Sequence, residues 1–407
     1  MPPIQVYLDS SDYSVLSDPQ RAADVWVRDT LTFLRDATRS GLIEVRYSII
    51  HITEACHRDA SSKPLAAARA RLIAELSGSK VIRHFTDVVA TETVAAARAV
   101  RSASPALDDD GRWFPSMPGL GREIRQAVEQ GMQEGASSVG YNRKSRRTAQ
   151  SLLGSRQRPG RARVDAFADR HELGALCERY GMSERFARER LLVRLADART
   201  SDAQLAALVE QEIFEPERFI AHYLDRLEKD RRIRDAVRSL GQRMIDGVEN
   251  LRAALNRLQQ TTPGATVMPI AEARAHVRRA LTGFRRAMVE AAARAHSGDL
   301  DVDEVLAQFA EFPRDRFPGV DALALFVEDW LLATGGGAKH SREPLRSDAG
   351  DLLHAFYVPY VDVWRGDRHA SNVARPIAAR HGTVVAASLG DLRSSIDRAR
   401  GRLRQAQ

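Results

Sequence analysis

Ser347-Asp348-Ala349-Gly350-Asp351-Leu352-Leu353-His354-Ala355-Phe356-Tyr357-Val358-Pro359-Tyr360-Val361-Asp362-Val363-Trp364-Arg365-Gly366-Asp367 is the stretch that decides the fold. It opens on acidic residues, runs as a short helix through Leu352 and Leu353, and meets Pro359, which breaks a helix. Residues 360–364 then read as a buried strand, with Asp367 just past its end. Ligands of open α/β sheets gather outside the carboxyl ends of strands. That rule gives Asp367 a chemical position and sets Asp351 at the start of the helix feeding the same strand.

Working outward, residues 4–8 form a second apolar run that ends at Asp9. Asp18-Pro19 starts a helix, with Asp as cap and Pro at the first helical position. Residues 42–47 and 383–387 are further strands, and 80–85 a brief one. The helix after residue 48 carries His51 and Glu54, and 86–101 is an Ala- and Val-rich helix. Strands alternating with helices predict a parallel sheet covered on both faces. From 119 to 318 the chain is almost strand-free, rich in Ala, Leu, Arg and Glu at helical spacing. The expected fold is a small α/β, Rossmann-like domain of residues 1–101 and 317–407. A large all-α insertion, residues 102–316, interrupts it. No internal repeat occurs.

The 407 residues, 43% hydrophobic and 28% charged, suffice for two or three domains. Two cysteines, Cys56 and Cys177, make neither a disulfide framework nor a zinc quartet. The sequence holds no apolar run of membrane-spanning length and no secretory signal, so the expectation is a soluble, cytoplasmic protein without a membrane partner. The net charge of +7 is concentrated between 141 and 170. There Arg143, Lys144, Arg146, Arg147, Arg156, Arg158, Arg161, Arg163 and Arg170 face only Asp165 and Asp169. Such a cluster is the footprint of a polyanion partner. The competing reading is a solvated loop, since Gly154, Pro159 and Gly160 interrupt it.

Phosphodiester hydrolysis needs an activated water and neutralised charge at phosphorus, which two divalent cations about 3.5–4 Å apart supply. Such hard cations take carboxylate oxygens. Asp9 and Asp367 follow strands, Glu54 lies on the helix after the second strand, and Asp351 opens the helix before the third. In a parallel sheet all four converge at one edge. Each also has a bland reading. Asp348 and Asp351 are spaced as a capping pair, Asp9 suits a turn, and Glu54 suits a salt bridge. Asp362 shares a strand face with Tyr360 and Trp364, where a structural hydrogen bond competes with a metal. Asp12 reads as a supporting residue or a cap. His354, one helical step from Asp351, either orients it or is a satisfied core histidine. His51, Glu54 and His57 do not make the zinc-hydrolase spacing. Gly335-Gly336-Gly337 follows a helix rather than a strand, which excludes a phosphate-cradling loop. Nucleophilic Ser-His-Asp or Cys-His sets cannot be argued from spacing.

With these residues assembled, the chain resembles the PIN-like domain family of metal-dependent ribonucleases. The matching pieces are Val6-Tyr7-Leu8-Asp9, Ile52-Thr53-Glu54, Asp351-Leu352-Leu353-His354-Ala355 and Tyr360-Val361-Asp362-Val363-Trp364-Arg365-Gly366-Asp367-Arg368. They cover about 1–100 and 317–395. The resemblance implies that Asp9, Glu54, Asp351 and Asp367 hold one or two Mg²⁺ or Mn²⁺ ions and cut RNA, leaving 5′-phosphate and 3′-hydroxyl ends. Asp348 and Asp362 are further metal candidates. Ser11, a small hydroxyl near the first Asp, would support the site with Asp12, His354 and Arg368. The basic segment would hold RNA phosphates through Arg143 to Arg163. The insertion lies outside the resemblance and is expected to bind RNA, cover the site or pair two copies. A toxin with an antitoxin partner, an antiviral-defence nuclease and a housekeeping nuclease all fit. The alternatives are a catalytically inactive RNA-binding or scaffold protein and a structure-specific DNA nuclease.

Overall fold

A computed structural model describes residues 1–55, 63–98, 106–114, 119–138, 173–174, 177, 182–197, 199–213, 215–227, 253, 270–296, 301–309, 311–334 and 348–406. Strands β1 (Ile4–Tyr7), β2 (Ile43–Arg46), β5 (Val363–Arg365) and β6 (Val384–Ala386) form one parallel sheet in the order β2-β1-β5-β6. Ile4 pairs with Ile43 on one side of β1, and Val6 pairs with Val363 on the other. Ile4, Val6, Ile43, Val45 and Val363 are buried. Buried, β-branched, near-continuous apolar strands are what a sheet covered on both faces requires. A small antiparallel pair, β3 (Val81–Ile82) with β4 (Leu107–Asp108), adjoins β2 through a Tyr47–Val81 bridge.

The chain leaves β1 through α1 (Ser10–Ser17) and α2 (Val25–Arg39) to reach β2 on one side. It then passes through α3 (Ile49–Ala55), α4 (Lys63–Ser77) and α5 (Phe85–Ala97). It returns to the other side of β1 at β5, and α10 (Arg368–His381) leads from there to β6. The strand order therefore reverses between β1 and β5. Their carboxyl ends flank the crevice where such sheets place ligands.

The third strand is shorter than the sequence implied. Pro359 lies in a 3₁₀ turn, Val358–Tyr360, and β5 begins only at Val363. Asp362 therefore precedes the strand. Its carboxylate accepts the Gln5 N–H at 2.8 Å and its own N–H donates to the Gln5 carbonyl at 3.0 Å. This fastens the amino edge of the sheet, away from the strand ends where a metal was expected, so its part is the structural hydrogen bond. Tyr360 turns the other way, and its hydroxyl donates to Glu92 Oε1 on α5 at 2.6 Å and accepts the Gly319 N–H at 3.0 Å.

The chain divides into two compact units, residues 1–115 with 227–407, and residues 116–226. The second unit, 116–226, is narrower than the insertion expected at 102–316. Helices α6 (Ile270–His296) and α7 (Val302–Ala307) pack within the α/β unit, against α5 and against α8 (Pro318–Thr334). Val277, Leu281 and Val289 form the buried stripe of α6. Buried Arg285 reaches Asp321 at 2.8 Å, and Arg278 reaches Glu328 at 3.0 Å. Helix α8 buries Val320, Leu323, Phe326, Val327, Trp330 and Leu331, more than one face, as a central helix does. In the other unit, Leu120–Ser138 packs on Asp202–Ile213, and Gly121 admits the Asp202 backbone where a Cβ would collide. Arg125 joins the two helices through Asp202 at 2.8 Å. No described helix is long and apolar enough to cross a membrane.

Two outcomes follow. Asp321→Ala leaves Arg285 buried without its partner and lowers stability in urea unfolding by about 3–5 kcal/mol. A loss under about 1 kcal/mol would contradict the placement of α6 in the α/β unit. Burial pushes the Glu92 carboxyl up to about 8, against the lowering effect of the Tyr360 hydrogen bond. The fold thus prefers the protonated form. Its contribution is complete below the unfolded value of about 4.3 and is lost as pH rises through about 8. Glu92→Gln should lose less stability than the parent across that window, and an identical slope would refute the assignment.

Candidate functional site

The site grows from the end of β1. Asp9 caps α1, its Oδ1 accepting the Ser11 N–H at 3.0 Å, while Asp12 Oδ2 accepts the Asp9 N–H at 3.0 Å. This reciprocal capping box fixes both carboxylates at the crevice. Their outer oxygens meet Arg365, the last residue of β5. Its guanidinium lies 3.4 Å from Asp9 Oδ2 and 2.8 Å from Asp12 Oδ1. Asp12 is buried, and that burial pushes its carboxyl up to about 7, with Arg365 pulling it down and Asp9 pushing it up.

A second cluster joins α1, α3 and α9 (Asp348–Ala355). His354 Nε2 lies 3.3 Å from Glu54 Oε2 and 3.3 Å from Ser10 Oγ, and its Nδ1 lies 2.7 Å from the Tyr7 hydroxyl. Burial works to raise the Glu54 carboxyl. The hydrogen bonds of His354 and Ser10 work the other way, and Glu54 lies below its ordinary value. His51 is buried, which lowers it to about 3, so its ring is neutral. Its Nε2 lies 2.7 Å from the Leu8 carbonyl. Gly350 lets α9 approach, because any Cβ there would collide with Glu54 Oε1. A cavity of about 240 Å³ opens beside these groups, lined by Ser10, Ser11 and Ser14, by His51 and Glu54, and by Arg69 of α4.

Ser10, His354 and Glu54 have the composition of a nucleophilic triad, and their geometry is wrong for one. In a working triad the acid orients one imidazole nitrogen while the other takes the serine proton. Here Ser10 and Glu54 share Nε2, and Tyr7 occupies Nδ1.

The structure thus gathers Asp9, Asp12 and Arg365 in one group and Glu54, His354 and Ser10 in another. Asp367 is exposed and caps α10, its Oδ1 accepting the Ala370 N–H at 2.6 Å. Arg368 is the exposed first residue of that helix, and Ser11 is an exposed wall of the cavity. Asp348 and Asp351 lie on α9. Their side chains lie outside the described residues, as do Arg143, Lys144, Arg146, Arg147, Arg156, Arg158, Arg161 and Arg163. Among the described residues no three His, Cys, Asp or Glu side chains form a group able to hold a metal ion. Sequence reasoning missed Arg365, Ser10 and Tyr7. One signal was present for Gly350, a helix-weakening residue between two acids, which marks close approach.

Gly350→Ala should push the Glu54 carboxylate off its present position and lower stability by up to about 1 kcal/mol. In a Glu54→Ala background the same change should cost nothing, since alanine suits a helix better than glycine. Equal costs in both backgrounds would show that Glu54 does not press on α9.

Comparison with known proteins finds no matching family model, no matching curated protein and no matching solved structure.

Proposed function

We propose that the protein is a metal-dependent endoribonuclease of PIN-like type, acting at the carboxyl edge of its parallel sheet. The observation carrying this reading is the convergence of Asp9, Glu54 and the α9 backbone at the crevice between β1 and β5. Glu54 bears on Gly350, the neighbour of Asp351, so three of the four expected carboxylate positions share one small region. The donor chemistry fits a hard divalent cation, because carboxylate and hydroxyl oxygens dominate and thiols are absent among the described site residues. Asp9, Glu54 and Asp351 are the residues that would hold Mg²⁺ or Mn²⁺. Such ions supply a Lewis acid and a water of lowered pKa. Asp367 commits one oxygen to its helix and adds negative charge at the rim.

The chain's own groups do the rest. The capping box holds Asp9 at a fixed angle, and His354 keeps Glu54 ionised and aimed at the cavity. Ser10, Ser11 and Ser14 offer hydroxyls to a bound backbone, and Arg69 offers a cation to its phosphate. The basic segment at 141–170 supplies further phosphate contacts in this reading.

Arg365 favours a second reading, a PIN-like RNA-binding or scaffold protein without catalysis. A guanidinium already pairs with both Asp9 and Asp12. A divalent ion about 4 Å from it would be repelled by about 8 kcal/mol at an effective dielectric of about 20. A metal on Asp9 therefore requires Arg365 to leave.

The test is cleavage of an RNA pool with Mn²⁺, Mg²⁺ or EDTA, beside matched single-stranded and flap DNA. Asp9→Asn, which keeps the helix cap, and Glu54→Gln should each lower metal-dependent RNA cutting by about a hundredfold or more, with folding intact. Undiminished cutting contradicts the assignment. RNA binding without cutting under any metal supports the scaffold reading.

A further inference from the structure

Buried polar side chains run in an unbroken line from the core to Glu54, each with a defined donor direction. The Leu8 carbonyl only accepts, so His51 Nε2 carries the proton it donates there. Neutral His51 then presents a bare Nδ1, which accepts the Ser48 N–H at 3.0 Å. Ser48 Oγ accepts the Ile50 N–H at 3.3 Å and lies 2.8 Å from the Tyr7 hydroxyl, nearer than the 3.4 Å to the already engaged His51 Nδ1. The Ser48 proton therefore goes to Tyr7. The Tyr7 hydroxyl, buried and neutral, has one proton, and His354 Nδ1 at 2.7 Å is left to receive it. With Nδ1 accepting from Tyr7, the ring proton of His354 sits on Nε2, facing Glu54 Oε2 and Ser10 Oγ. Every direction agrees with the next.

We propose that His354 is a positioning residue for Glu54, held in its Nε2–H tautomer by the hydroxyl of Tyr7. The ring donates to one oxygen of Glu54 while the α9 backbone at Gly350 bounds the other. The carboxylate therefore presents one orientation to the cavity. Outer partners of this kind fix the geometry of a ligand and its affinity for a metal. Neither Tyr7 nor His354 needs to touch substrate. The role as metal-site support rests on the function proposed above, whereas the tautomer does not.

The experiment uses the full chain and two readouts. Nitrogen-15 NMR of labelled histidines reports the His354 tautomer in the parent and in Tyr7→Phe, and calorimetry with Mn²⁺ reports metal affinity. The parent should show the Nε2–H form. Tyr7→Phe should mix the tautomers and weaken Mn²⁺ binding about 10- to 100-fold. His354→Gln, which keeps an N–H able to reach Glu54, should retain more affinity than His354→Leu. An Nδ1–H tautomer in the parent, or unchanged tautomer and affinity in Tyr7→Phe, overturns the proposal. If Tyr7→Phe does not fold, the parent spectrum and the Gln–Leu contrast decide. If the parent binds no Mn²⁺, the nuclease reading fails, and the tautomer alone decides whether Tyr7 sets the ring.

Discussion

Strand β1 is held between two strands that come from distant parts of the chain, and the rest of the α/β unit depends on that double pairing. Its partners are β2, about forty residues on, and β5, more than 350 residues on. The carboxylate of Asp362 replaces a ladder acceptor for Gln5 and locks the second pairing at its amino end. Because the pairing is parallel, both carboxyl ends open on the same crevice. Side chains from opposite ends of the sequence then meet there, Tyr7 with His354 and Asp9 with Arg365.

The two polar clusters at that crevice differ in kind. Around Asp9 the chain supplies its own cation, and the group is electrostatically closed. Around Glu54 it supplies a hydrogen-bond donor instead, and the carboxylate stays ionised beside a cavity. A buried charge is costly without compensation, and each cluster meets that cost differently. Any ion arriving at the site therefore competes with a guanidinium at Asp9 and only with an imidazole N–H at Glu54.

Much of the sheet was legible because strand ends and acids coincide in the sequence. The first two strands, the last strand, the Asp9 position and the Glu54 helix all follow from apolar runs bounded by polar turns. Asp367 was legible as a strand-end acid, but its use as a cap depends on where β5 ends and α10 begins, which sequence patterns fix only to within a few residues. Tyr360 and Asp362 look like strand residues because an apolar run through a proline reads the same in a 3₁₀ turn. The division of the helices between the two units was hidden for another reason. The stripe Val277, Leu281, Val289 announces a helix with a buried face, and nothing in it says that the partners are α5 and α8. Arg365 was invisible as a site residue because an arginine beside Gly366 and Asp367 reads as ordinary surface charge.

The most direct measurement is anomalous scattering from crystals of the full chain soaked in Mn²⁺. A manganese peak bounded by Glu54, Asp9 and Asp351 is the expected result, with the Arg365 guanidinium moved off Asp9. Crystals saturated with Mn²⁺ that show no peak there, with Arg365 still on Asp9 and Asp12, would contradict it.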